Sequence, residues 1–223
     1  MRNLLALNRP VKTTVKRPYN ASSRQVEARR TRRRIVEAAR ALFLDHGYVR
    51  TTMPAIAEAA DVSIETIYLS VGPKAALVRY LIETALSGTD EPVPALERAG
   101  VAAIQAEPDP RRKIRMFARV VRQLQERLAP IWAIVMEAAP GDAELHSLIR
   151  ELRERHVGTM RLFVKHLAAV GALRAGLSVD LAADVVWATN SPEVYGLLVR
   201  GRGWSGDKLE RWLADAWQRL LLD

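Results

Sequence analysis

The chain of 223 residues contains no cysteine. That excludes a disulfide framework, thiolate metal sites and a cysteine nucleophile, and it suits a reducing compartment. Long apolar runs are also missing. The best, "IWAIVMEAA" at 131–139, carries Glu137 and falls far short of the roughly 20 residues that cross a bilayer. The opening "MRNLLALNRP" has a charge and a few leucines, but its apolar stretch stops at Asn8, too early for a signal peptide. A cytoplasmic protein with no membrane partner is therefore expected. No alternating apolar and polar run of useful length marks a strand, and no internal repeat is detectable.

Catalytic and metal signatures are equally thin. His146, His156 and His166 are ten residues apart, whereas two ligands on one helical face need a spacing of three or four. The letters "GRGWSG" at 201–206 match a dinucleotide fingerprint, but they follow a helical pattern where that motif requires a strand. No Ser–His–Asp or paired-carboxylate grouping stands out. The chain is expected to be no enzyme and to need no cofactor or metal.

What is present is charge, unevenly placed. Residues 1–50 hold 13 Lys/Arg against 3 Asp/Glu, a surplus of 10, while the other 173 residues hold 21 against 22. A cationic end on a near-neutral body points to a polyanion partner. Residues 1–22, with Pro10, Pro18 and several basic residues, read as a flexible basic arm. From "SSRQVEARRTRRRIVEAARALFLDHG" the pattern turns helical, with Ile35, Ala38, Ala39, Leu42 and Phe43 on one stripe. Gly47 is the expected stop.

Two short helices follow. Thr51 and Thr52 offer an N-cap, Pro54 sits in the first turn, and the helix runs to Ala60. Ser63 caps a second helix reaching about Ser70, before "VGP" and Lys74. Asp61 occupies the turn between them, where a left-handed backbone is often required and aspartate is among the few residues other than glycine to adopt it. Small Ala57 at the crossing, with Ile56, Val62 and Ile67 as apolar braces, completes a helix-turn-helix pattern. Beyond it lie four or five more helices, including a long one at about 142–170. The expected fold is all-α, with a DNA-binding domain over 23–72 and a helical domain over 73–223.

The stretch "TTMPAIAEAADVSIETIYLSVGPKAAL" resembles the TetR (tetracycline-repressor-like) family. It departs from the family pattern at Asp61, where glycine is usual, and at Val71, where an aromatic is more common. The resemblance implies about nine helices and a homodimer that binds an operator in double-stranded DNA. It maps phosphate contacts onto Tyr68 and Lys74, helix-start threonines onto Thr51 and Thr52, and the base-reading surface onto Ser63, Ile64, Glu65, Thr66 and Leu69. Arg24, Arg29 and Arg30, with the basic arm, are expected to add backbone or minor-groove contacts.

The resemblance further implies a small-molecule effector between the C-terminal helices. Phe117, Trp132, Met136, Met160, Phe163 and Trp187 fall on helical inner faces, as core or as pocket lining, and Asn190 could orient a ligand. These positions carry few charges, so a hydrophobic or aromatic effector is expected rather than a sugar phosphate or a metal ion. In the last helix Leu209, Trp212, Leu213, Ala216 and Leu220, with Trp217 beside them, make an apolar stripe that its own core or a second copy must cover; the resemblance favours a dimer interface there, with the segment around 178–200. The function read from the chain is a ligand-modulated transcriptional repressor. The alternative is a helical protein whose basic arm binds RNA or an acidic membrane.

Overall fold

The computed structural model describes residues 21–98 and 100–223; the basic arm expected at 1–22 therefore lies almost wholly outside it. Among the described residues there are nine α-helices of six residues or more, and the only β-pairing is an isolated antiparallel bridge between Leu173 and Leu222. In chain order they begin with α1 (Ala21–Arg50), α2 (Met53–Ala60), α3 (Ile64–Ser70) and α4 (Lys74–Ser87). Then come α5 (Val101–Ala106), α6 (Pro110–Ala138), α7 (Ala143–Ala169) and α8 (Val179–Thr189). A single turn, α9 (Pro192–Tyr195), runs into a π-helical segment (Gly196–Gly201) before α10 (Gly206–Leu221).

Local chemistry accounts for most of these boundaries. Thr52, Ser63, Asp109, Asp142, Ser178 and Ser205 each cap a helix by accepting from a backbone N–H in its first turn, a contribution of about 1 kcal/mol per cap. At Gly47 (φ 78°, ψ 166°) the run of α1 is broken, as expected, and only one more turn follows. Pro130, where the sequence suggests a start or a kink, lies inside the continuous α6.

The hydrophobic interior falls into two clusters. The first joins α1–α4 to the second half of α6 and the first half of α7, with Ile35, Ile56, Ile67, Leu77 and Leu145 all fully buried. The second joins α5, the first half of α6 and the end of α7 to α8 and α10, around Ile114, Val164, Leu167 and Trp217. The two long helices α6 and α7 thus run through both clusters. A displacement along either helix is felt in both.

Candidate nucleic-acid interface and ligand cavity

The turn between α2 and α3 is built by Asp61. Its φ of 52° is the only positive value at a residue other than glycine among the described residues. The Asp61 N–H donates to Glu58 O at 3.1 Å and the Val62 N–H reaches back to Ala57 O at 3.0 Å. This is the paired closure that normally places glycine in the left-handed position. Ala57, 5% exposed, lets the chain pass close by. Helix α1 braces the far end, where Arg32 Nε donates to Ser70 O at 3.1 Å.

That geometry leaves one face of α3 in solvent. Tyr68 is 53% exposed and Leu69 is 89% exposed, an apolar side chain that nothing among the described residues covers. Ser63 and Glu65 are exposed at the N-terminal end, with Thr66 half-buried beside them. Ser63 Oγ accepts from the Thr66 N–H at 3.2 Å. The Glu65 carboxyl is held below its ordinary range by its own backbone N–H and the Ser63 hydroxyl. Glu65 thus serves the helix start as well as the surface. Ile64 is half-buried against the first cluster, so it braces α3 more than it faces outward.

Thr51 departs most from its expected place. It is 2% exposed, and its hydroxyl donates to Leu42 O at 3.1 Å and Gly47 O at 2.8 Å. It stitches the broken end of α1 to α2 and presents no group to a nucleic acid. Thr52, one residue on, is exposed and caps α2. Arg24, Arg29 and Arg30 are exposed along the first half of α1. Lys74, at the start of α4, is half-buried, with its Nζ 4.1 Å from the Tyr48 ring centroid. Burial lowers its pKa, against an opposing pull from Asp142.

A cavity of about 900 Å³ opens between the two hydrophobic clusters. From the expected effector residues, Phe117, Trp132, Met160, Phe163, Trp187 and Asn190 line it. Met136 does not; it packs against the first cluster and its sulfur accepts from Arg153. Phe117 and Phe163 stack with centroids 4.1 Å apart, so part of the wall is a flat aromatic surface.

One wall is polar. Gln125 Nε2 donates to Asn190 Oδ1 at 3.1 Å, which turns the Asn190 amide nitrogen toward His156 Nε2 at 3.3 Å. With Asn190 donating, that imidazole nitrogen must accept. Burial agrees, lowering the His156 pKa to about 4, so the ring is neutral at pH 7. Gln125 Oε1 is buried with no hydrogen-bond partner among the described residues. Nearby, Trp132 Nε1 and Arg153 both donate to Glu193 Oε1, at 3.0 and 3.1 Å. Burial works to raise the Glu193 carboxyl, but these bonds hold it below its ordinary value.

Sequence reasoning missed the charged lining. Lys113 is 3% exposed and its Nζ donates to Gln105 O. The signal was in the spacing. Residues 113, 117, 120, 121, 124, 127 and 128 share one broad helical face and all line the cavity. Arg98 comes from the connection before α5, where no pattern marks it.

The stripe expected on α10 divides into two faces. Leu209, Leu213 and Trp217 are at most 2% exposed inside their own second cluster. Trp217 stacks near Phe117 and donates from Nε1 to Thr189 Oγ1 at 2.7 Å. Trp212 and Ala216 are half-buried and Leu220 is 42% exposed. Among the described residues, only that second face of α10 is open to another chain. Leu181 on α8 is exposed as well.

Comparison with known proteins agrees with this architecture. Residues 35–81 match the family model for bacterial regulatory proteins of the tetR family. The HTH-type transcriptional regulator TcmR of Streptomyces glaucescens is 28% identical over 170 residues, covering 73% of this chain and 68% of that protein. NalD, the secondary repressor of the MexAB-OprM multidrug efflux pump in Pseudomonas aeruginosa, superposes with a TM-score of 0.66 at 21% identity, over 87% of this chain and 98% of its own. A SmeT–triclosan complex superposes with a TM-score of 0.63 at 20% identity, over 87% and 92%. No helix among the described residues is long and apolar enough to cross a membrane.

Proposed function

We propose that this chain, which belongs to the TetR family of helix-turn-helix DNA-binding transcriptional regulators, acts in the cytoplasm as a homodimeric repressor released or engaged by a small apolar molecule. The observation that carries the ligand-responsive part is the double duty of α4. Its first residue, Lys74, stands beside the recognition helix, while Ile82, Glu83 and Leu86 near its other end line the cavity. A ligand that favours one position of α4 must favour one placement of α3. In a two-fold dimer the two recognition helices must lie about one DNA turn apart, so a small displacement weakens the fit. SmeT binds triclosan in its own complex, which supports an apolar aromatic occupant here.

In this reading Tyr68, Lys74 and Thr52 position the protein on phosphates, with Arg24, Arg29 and Arg30 along the backbone, and Ser63, Glu65, Thr66 and Leu69 face the major groove. Leu69 suits a thymine methyl, and Glu65 suits a cytosine amine. The half-exposed side of α10 meets its copy. Selection of duplexes from a random pool, followed by footprinting, tests the assignment: a recovered palindromic site protected on both halves is expected. Equal retention of duplex DNA, RNA and anionic vesicles would instead leave only the electrostatics of a basic segment.

A further inference from the structure

The cavity wall is not neutral. Among the described residues, Arg98, Lys113, Arg127, Arg153 and Arg155 line it, against only two carboxylates, Glu83 and Glu193. Both carboxylates are already engaged. Glu83 lies between Arg155 and Arg98, and Glu193 takes bonds from Arg153 and Trp132. The two remaining cations, Lys113 and Arg127, have only main-chain partners among the described residues: Lys113 donates to Gln105 O at 3.2 Å, and Arg127 Nε donates to Ala85 O at 2.9 Å. Glu126, the carboxylate whose charge reaches Arg127, is itself bound to Arg122 at 2.7 Å. Residues 1–20 and 99 contain no Asp or Glu, so none of them supplies a carboxylate to either pair.

Both cations meet the C-terminal ends of helices, Lys113 that of α5 and Arg127 that of α4. A helix C-terminus presents about half a negative charge, so each cation is only partly neutralised there. Burial lowers the Arg127 pKa, a sign of incomplete replacement of water. Lys113 is the more enclosed of the two, and its ammonium has three N–H donors for that one carbonyl. A desolvated cation without a counter-ion is unfavourable, and an anion entering the cavity relieves it.

We propose that the molecule this cavity takes is an organic acid: an apolar, partly aromatic body carrying an anionic oxygen that pairs with Lys113, while Arg127, about 20 Å further along α6, only adds to the positive potential of the wall. This rests on the reading that the cavity binds a ligand, and it adds the charge that the aromatic residues alone did not indicate. Phe117, stacked on Phe163, lies one helical turn from Lys113 along α6, so the flat body and the acid occupy adjoining parts of the wall. Neutral or cationic molecules of the same shape bind more weakly, because they leave the surplus of cations over carboxylates in place.

Two dyes of matched skeleton test this. Anilinonaphthalene sulfonate is aromatic and anionic; phenylnaphthylamine is the same skeleton without the sulfonate. Titrated against the full chain and read by dye and tryptophan fluorescence, the sulfonate is expected to bind about tenfold tighter, the scale of one partly screened ion pair. Lys113→Met should remove most of that ratio and Arg127→Gln little of it, while phenylnaphthylamine binding persists as proof of an intact cavity. Lys113→Gln, which keeps an N–H donor for the Gln105 carbonyl, serves as the test if Lys113→Met melts below the assay temperature. Equal affinity of the two dyes, or a sulfonate preference that survives the loss of Lys113, overturns the proposal but leaves the cavity reading standing. Binding of neither dye overturns both.

Discussion

Lys74 and Tyr48 face each other across the junction of the helix-turn-helix with the rest of the protein, the ammonium 4.1 Å from the ring centroid. Tyr48 is 7% exposed and follows the break at Gly47, so the ring is fixed and holds the lysine at the start of α4. In the proposed reading, a cation placed this way would meet DNA phosphates as a preset charge. Lys74→Ala should weaken binding to every duplex alike and lower the salt slope by roughly one unit for each phosphate no longer neutralised. Filter binding across a salt series on several sequences checks this. A changed preference at one base position would assign Lys74 to base reading instead.

Asp61 supplies a second expectation. Its side chain is fully exposed, with Arg34 as its one ion partner at 3.9 Å among the described residues, while its backbone sits at φ 52°. Glycine relieves that conformation at some entropic expense in the unfolded chain. Asp61→Gly should therefore raise the melting temperature by roughly 2 °C and leave the selected DNA sequence the same. A lower melting temperature would mean that the Arg34 contact outweighs the backbone strain.

His156 predicts a pH dependence. Its folded pKa, about 4, lies below the ordinary 6.5 because the ring is buried, so the unfolded chain binds the extra proton first. The stabilising contribution is fully present above pH 6.5 and is lost as pH falls through about 4. The total is on the order of 3 kcal/mol. Urea melts at about pH 7.5 and about pH 4.5 should differ by much of this amount. His156→Gln should flatten that difference; an unchanged pH dependence would place the responsible group elsewhere.

The open side of α8 and α10 carries the assembly prediction. Glutamate at Leu181 and Leu220, both exposed, should give folded monomers that no longer hold a palindromic site. The same change at Trp217, which is 0% exposed, should unfold the chain, and even Trp217→Ala should cost about 3–5 kcal/mol. Sedimentation with circular dichroism separates the two outcomes. A wild type that is monomeric at micromolar concentration would refute the dimer.

The sequence by itself determined the helical class, the helix-turn-helix and most helix boundaries, because these depend on near neighbours. Ser63 caps the helix that follows it, Gly47 ends the one it closes, and Asp61 enters the left-handed turn whatever lies across the fold. The stripe Ile35, Ala39, Phe43 was legible because helical spacing alone puts those residues on one face. What only the tertiary structure decided is which face of an apolar helix meets which neighbour. Leu213 and Trp217 on α10 belong to their own core, and Thr51 turns inward, because α6 and the end of α1 lie against them. The charge of the cavity was the least legible. Arg98, Lys113 and Arg127 come from a connection and two places on one helix, and their meeting around one space is created by packing between clusters that no local spacing encodes.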